Sequence, residues 1–285
     1  MMAMDSIAAG IATVQERIAQ AARRAGRSTA EVRLVGVTKT HPPEVIARAL
    51  DAGLTDFGEN RVQEAEAKIV ALAAERSRIS WHMIGHLQRN KAKKAAGLFD
   101  IIHSLDSLRL AEALDRHAAE TKRQGSQAGG DREPGARSGS TASRFGSPSP
   151  GPQLASAVGP VDQARLPVLI QVNVSGEATK EGFALAGWEE RDEVLAAFLA
   201  DVERLLALPH LYVRGLMTIA PWGSAPEIAR PTFRSTRRLR DLLAQRFPAG
   251  DWGELSMGMT DDFEVAIEEG ATMVRIGRAI FGERR

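Results

Sequence analysis

Lys39 stands at the carboxyl end of the run Leu34-Val35-Gly36-Val37-Thr38-Lys39. A short valine-rich run reads as a buried strand, so a lysine at its end has two readings. Desolvated, its amine loses basicity and can form a Schiff base with a carbonyl compound. Solvated, it ends a strand and reaches water. Two further groups of residues bear on the choice. Ser256-x-Gly258 and Gly277-Arg278 offer a hydroxyl, backbone N–H groups unhindered by side chains, and a nearby cation. Those are the parts of a phosphate cradle, although glycines that only make tight turns would look the same. Arg275 lies inside Met273-Val274-Arg275-Ile276, and a guanidinium buried there needs an acceptor. A neighbouring carboxylate would serve, and so would a ring nitrogen of a ligand.

The elements that must position these residues alternate along the chain. Strand-like runs occur at Val32–Thr38, Thr55–Gly58, Ser80–Gly85, Asp100–His103, Pro167–Val174, Leu211–Ile219, Gly253–Met257 and Thr272–Ile276. Helix-like runs such as Arg61–Glu75, Leu105–Glu120, Glu190–Leu208 and Phe233–Phe247 separate them. Eight such units imply a parallel sheet closed into a single (β/α)8 TIM-type barrel, with a doubly wound open sheet as the alternative. The unusual residues end many different strands and do not surround one crevice, which favours the barrel. Ile7, Ile11, Val14 and Ile18 predict an amphipathic N-terminal helix stopped at Gly26, available to stand in for a last barrel helix. Residues 121–165 break the pattern: from Thr121 to Gln153 the only large apolar side chain is Phe145. Such a segment cannot offset its ordering entropy, so a disordered insertion is expected between a helix and a strand, away from the site. The chain 1–285 then reads as one domain, interrupted at 121–165.

Composition excludes several classes. The formal charge of +1 gives no global pull toward nucleic acid or acidic membranes. There is no cysteine, which rules out disulfides, thiolate metal sites and cysteine nucleophiles, and suits a reducing cytoplasm. Met1 to Gly10 lack the basic and apolar regions of a secretory signal, and no apolar run approaches the ~20 residues that span a bilayer. A soluble cytoplasmic protein is expected.

A Schiff-base lysine, a phosphate cradle and an acceptor-seeking arginine together describe pyridoxal 5′-phosphate. The motifs Val37-Thr38-Lys39-Thr40, Phe57–Glu64, Trp81–Lys91, Leu255–Thr260 and Val274–Gly282 closely resemble the pyridoxal phosphate homeostasis proteins, which are similar in fold to the N-terminal barrel domain of alanine racemase. The resemblance runs from the first helix to the C-terminus, the insertion excepted. It implies that Lys39 carries the cofactor as a Schiff base. It also implies that Ser256, Gly277 and the backbone of Arg278 contact the phosphate, that Arg275 faces the pyridine nitrogen, and that Asn60 and Met217 line the ring pocket. The family often has threonine where this chain has Arg278, so a cation replaces a hydroxyl there.

An arginine at the ring nitrogen disfavours its protonation and weakens carbanion stabilisation. Racemisation also needs bases on both faces of the substrate. The family comparison places alanine racemase's second base, a tyrosine, with a separate β domain, which is not expected here. The one tyrosine, Tyr212, begins a strand and should lie at the wrong end of the barrel. A non-catalytic cofactor carrier is therefore expected, working in vitamin B6 and amino-acid homeostasis, monomeric, with apo-forms of cofactor-dependent enzymes as candidate partners. A weak amino-acid racemase is the alternative. A Schiff-base aldolase would share Lys39 and the phosphate loops but show no visible chromophore. The run Gln88-Arg89-Asn90-Lys91-Ala92-Lys93-Lys94 lacks interleaved aromatics and reads as a solvated helix face, not a nucleic-acid surface. Asn60 and Thr260 each also read as helix N-caps. His82 and His86 bracket Gly85 without a carboxylate motif, so no metal is expected.

Overall fold

The structure is a computed structural model that describes residues 2–128, 165–221 and 225–282. Eight parallel strands form a closed ring: β1 (Arg33–Val37), β2 (Asp56–Glu59), β3 (Ser80–Met83), β4 (Ile101–Leu105), β5 (Leu166–Asn173), β7 (Leu211–Met217), β8 (Glu254–Ser256) and β9 (Met273–Ile276). Each pairs with the next, β4 with β5, and β9 closes onto β1 with Val35 opposite Arg275. This is the predicted (β/α)8 barrel, and all eight predicted strands are present. The short β6 (Phe183–Ala184) was not foreseen. It adds to the end of β5 through Val172 and Asn173, and two residues after Gly182 are too few to show a period.

Around the ring stand α2 (Pro43–Asp51), α3 (Val62–Ala71), α4 (Ala92–Leu98), α5 (Leu108–Ala128), α6 (Asp192–Leu206), α7 (Arg230–Arg246), α8 (Phe263–Glu268) and the single turn α9 (Arg278–Phe281). Apolar side chains divide accordingly into two clusters. The large one fills the layer between sheet and helices, and a small one, Ile101, Leu169, Met217 and Met273, fills the barrel interior.

The first helix, α1 (Met2–Arg24), buries Ile7, Ile11, Val14 and Ile18 as its periodicity predicts. It packs on α8, α9 and α2, and so takes the place that a full helix after β9 would occupy. Gly10 lets it approach closely, since a Cβ there would meet the carbonyl oxygens of Ala279 and Ile280 at 3.0 Å. Arg17 and Arg24 pair with Glu264 and Glu268 of α8 at 2.7 and 2.9 Å. Gly26, at φ +67°, ends the helix as expected.

Of the stretch 121–165, residues 121–128 are helical and continue α5. Lys122, Arg123 and Gln124 are good helix formers and extend an existing helix at little cost. Arg165 leads into β5, and the expectation for 129–164 lies outside the described residues.

Candidate functional site

The carboxyl ends of the strands gather the residues singled out above. Lys39 follows β1 in a tight turn closed by the amide of His41 donating to the carbonyl oxygen of Thr38 at 3.0 Å. Thr40 lies at φ +68°, in the left-handed region, which a β-branched residue enters only when its surroundings enforce it. The enforcing groups come from β2 and α3. Lys68, buried on α3, donates to the Thr38 carbonyl oxygen at 2.8 Å, to Glu59 Oε1 at 2.8 Å and to Glu64 Oε1 at 2.6 Å. Glu64 accepts the Thr40 amide at 2.5 Å, and the Thr38 hydroxyl donates to Glu59 at 2.6 Å. The residues on both sides of Lys39 are thus tied to one buried ammonium. Burial raises the Glu59 carboxyl above its ordinary value despite Lys68 and Thr38. Burial acts on Glu64 in the same sense, but Lys68 and the Thr40 amide outweigh it and hold that carboxyl below its ordinary value.

Arg275 is buried and lies opposite Val35, four residues deeper than Lys39. Its guanidinium donates to Ser256 Oγ at 2.6 Å and to the Thr218 carbonyl oxygen at 2.9 Å. Two of its five N–H donors are accounted for in this way, which leaves others for a ligand. Burial pushes its pKa down to about 10, with Asp262 opposing the fall, so it remains a cation at neutral pH. The acceptor it was expected to seek is therefore partly internal: a hydroxyl and a carbonyl, with no carboxylate bonded to it among the described residues.

Ser256 is buried and engaged inside the barrel. Its hydroxyl lies between Arg275 and His103 Nδ1, at 2.6 and 2.8 Å, instead of facing the loops. A serine on a strand can point either into the barrel or toward the mouth, and here the buried guanidinium claims it. Thr260 follows in the same loop and is half-buried. It does not cap α8, whose N-cap is Asp262, and Asp262 accepts the Met259 amide at 2.6 Å. Asn60 does not cap α3 either, because the helix begins one residue later at an extended Arg61. Asn60 instead stands against Gly85, where a Cβ would come within 2.5 Å of the Asn60 carbonyl oxygen.

Gly277 opens α9, and the first amides of a helical turn have no acceptor inside it. A Cβ on Gly277 would meet nothing closer than the Val37 carbonyl oxygen at 3.4 Å. The exposed Arg278 side chain is ion-paired with Asp261, tying the loops after β8 and β9 together. That differs from a cation directly replacing a hydroxyl. Met217 is fully buried level with Ser256, in the interior apolar cluster beneath the mouth. Asn173, another strand-end residue, organises its own loop, donating to the Glu177 and Lys180 carbonyl oxygens and accepting the Gly176 amide. Tyr212 lies at the opposite, amino-terminal end, donating to Asp251 at 3.0 Å. In the basic run, Lys94 pairs with Glu66 at 2.8 Å, as on an ordinary solvated face. His82 and His86 separate: His82 is fully buried, and His86 pairs with Asp106 at 3.1 Å on the surface.

Sequence reasoning missed Lys68 and His103 as parts of the site. Lys68 and Glu64 form an (i, i+4) pair of the kind common on exposed helices, and nothing in their spacing marks the ammonium as buried.

An amine at one strand end, a buried guanidinium below it, and glycine-relieved loops after the last two strands fit an aldehyde carrying a ring nitrogen and a phosphate. Residues 153–285 match the family model described as alanine racemase, N-terminal domain. The chain is 39% identical over 275 residues to the pyridoxal phosphate homeostasis protein of Aquifex aeolicus, covering 96% of this chain and 97% of that one. It is 37% identical over 285 residues to the protein of the same name from Escherichia coli K12, covering 99% and 98%. PipY of Synechococcus elongatus, solved with PLP bound, is 32% identical and superposes with a TM-score of 0.68, covering 94% of this chain and 100% of that one. With near-complete mutual coverage and the site motifs in place on the same barrel, this chain belongs to the pyridoxal phosphate homeostasis protein family.

Proposed function

We propose that this chain binds pyridoxal 5′-phosphate through a Schiff base to Lys39 and carries it, without turning over amino acids, as a cytoplasmic monomer that supplies apo-forms of cofactor-dependent enzymes. The observation that carries the reading is the pairing of the clamped Lys39 turn with the buried Arg275 beneath it, in a chain so similar to a relative solved with PLP bound. When bound, the cofactor supplies an aldehyde and a ring that withdraws electrons best with its nitrogen protonated.

Lys39 would supply the amine for the Schiff base, with its backbone held in place by the Lys68 network. Arg275 would face the ring nitrogen as a donor and, as a retained cation, would disfavour a proton there. Asn60 and Met217 border the ring. The backbone of Gly277 and Arg278, with the Thr260 hydroxyl, hold the phosphate. Ser256 serves the arginine, not the phosphate. Tyr212 cannot act as a second base, because its hydroxyl is held by Asp251 at the far end of the barrel.

The purified protein should be yellow, borohydride should fix the cofactor covalently, and Lys39→Ala should abolish both. Colourless protein that takes up no added pyridoxal phosphate would sink the reading. Incubation with L-alanine, assayed for the D-isomer, separates carrier from racemase, and accumulation of D-alanine would overturn the non-catalytic part.

A further inference from the structure

Arg275 is the first member of a file of polar side chains that crosses the barrel interior. Ser256 Oγ is 2.8 Å from His103 Nδ1, His103 Nε2 is 2.8 Å from His82 Nδ1, and His82 Nε2 is 3.0 Å from Asp56 Oδ1 and 3.1 Å from Ser80 Oγ. His82, His103, Ser256 and Arg275 are all buried, and Asp56 reaches the amino-terminal end of the barrel beside Arg33. Apolar side chains would fill this volume without polar groups to satisfy, so its chemistry calls for explanation.

The charged groups at its two ends favour one direction of donation along this file. A guanidinium only donates, so the Ser256 oxygen accepts from Arg275 and has its own hydrogen left for His103 Nδ1. Burial, reinforced by the Arg275 and Arg33 cations, holds His103 well below the usual histidine range, so its ring is neutral. With Nδ1 accepting, a neutral His103 carries its hydrogen on Nε2 and donates to His82 Nδ1. His82 then carries its hydrogen on Nε2, facing the Asp56 carboxylate. Burial raises the Asp56 carboxyl, but His82, Arg33 and Thr55 together bring it below its ordinary value, so the file ends on an anion. Reversing the file would leave a bare His82 nitrogen against that carboxylate or require a buried imidazolium.

We propose that His103 and His82 are positioning residues of the cofactor site: with Ser256 and Asp56 they form a one-way hydrogen-bonded chain that fixes Arg275 as a donor toward the bound ring. The proposal rests on Arg275 facing the pyridine nitrogen. Each bond in such a chain polarises the next, so the charge of Asp56 strengthens Ser256 as the acceptor that orients the guanidinium. The device also bears on the lack of catalysis, because an arginine pinned from behind cannot give way to a protonated ring nitrogen.

The test has two arms. In ligand-free protein labelled with ¹⁵N-histidine, His103 and His82 should both appear as the neutral Nε2–H tautomer. An Nδ1–H tautomer at either ring, or an imidazolium at neutral pH, would overturn the direction of the chain. In the second arm, pyridoxal phosphate is titrated into wild type, His103→Leu and Asp56→Asn, and both affinity and the visible absorption maximum are followed. Loss of the hydrogen bond that orients Ser256 toward Arg275 should weaken binding about tenfold in His103→Leu, with a smaller loss in Asp56→Asn. The absorption maximum should move in both. Ser256→Thr, which keeps the hydroxyl, should bind more tightly than Ser256→Ala. If His103→Leu fails to fold, Asp56→Asn and the serine pair still decide. Variants that bind and absorb as wild type does refute the positioning role. Failure of wild type itself to take up the cofactor refutes the functional reading instead, and the tautomers are measured regardless.

Discussion

The ammonium of Lys68 donates to the carbonyl oxygen of Thr38 at 2.8 Å, immediately before Lys39. The same ammonium reaches Thr40 through Glu64, so a side chain from the helix layer sets the backbone on both sides of the proposed cofactor lysine. Replacing Lys68 by methionine leaves Glu59 buried without its counter-charge and should destabilise the fold by about 3–5 kcal/mol. Urea unfolding measures this, and adding Glu59→Gln in the same chain should recover much of the loss. A single Lys68→Met variant as stable as wild type would show that the network contributes nothing.

His103 makes acid unfolding informative. Its folded-state pKa lies well below 6.5 because it is buried, whereas the unfolded chain takes up a proton near 6.5. The stability it contributes is complete above that pH and is lost as the pH falls through its folded value. Wild type should therefore lose up to about 1.4 kcal/mol per pH unit more than His103→Leu on descending from pH ~6.5. Parallel urea midpoints across that window would contradict this account.

Asp261 and Arg278 are an exposed pair between the two proposed phosphate loops. Their contribution to stability should be below about 1 kcal/mol, so Asp261→Ala should unfold almost as wild type does. It releases the Arg278 cation beside Gly277, and affinity for pyridoxal phosphate should rise a few-fold at low ionic strength and return toward wild type in high salt. A salt-independent change, or none, would remove Arg278 from the account of phosphate binding.

The barrel was legible because short strand-like runs alternate with longer helix-like ones and end in polar residues, and because Ile7, Ile11, Val14 and Ile18 keep strict helical spacing. The site was legible where a residue type is out of place for its element, as with Lys39 and Arg275. It was not legible where only direction decides. Ser256 could have faced the mouth or the barrel, and the sequence does not say which. Asn60 and Thr260 carried capping signals that Arg61 and Asp262 pre-empted by shifting each helix start. Lys68 was not legible because its burial depends on Thr38, 30 residues away, and on how α3 folds back over Glu59.

The placement of α1 bears on how the molecule is made. The helix that seals the ring between α8 and α2 is synthesised first, yet α8 and α9 emerge from the ribosome last. Beyond its contact with α2, its buried face must wait for α8 and α9 through the translation of the barrel strands. A circular permutant that begins after Gly26 and carries α1 behind α9 would bring those partners together at the end of synthesis, with the strand order of the ring unchanged.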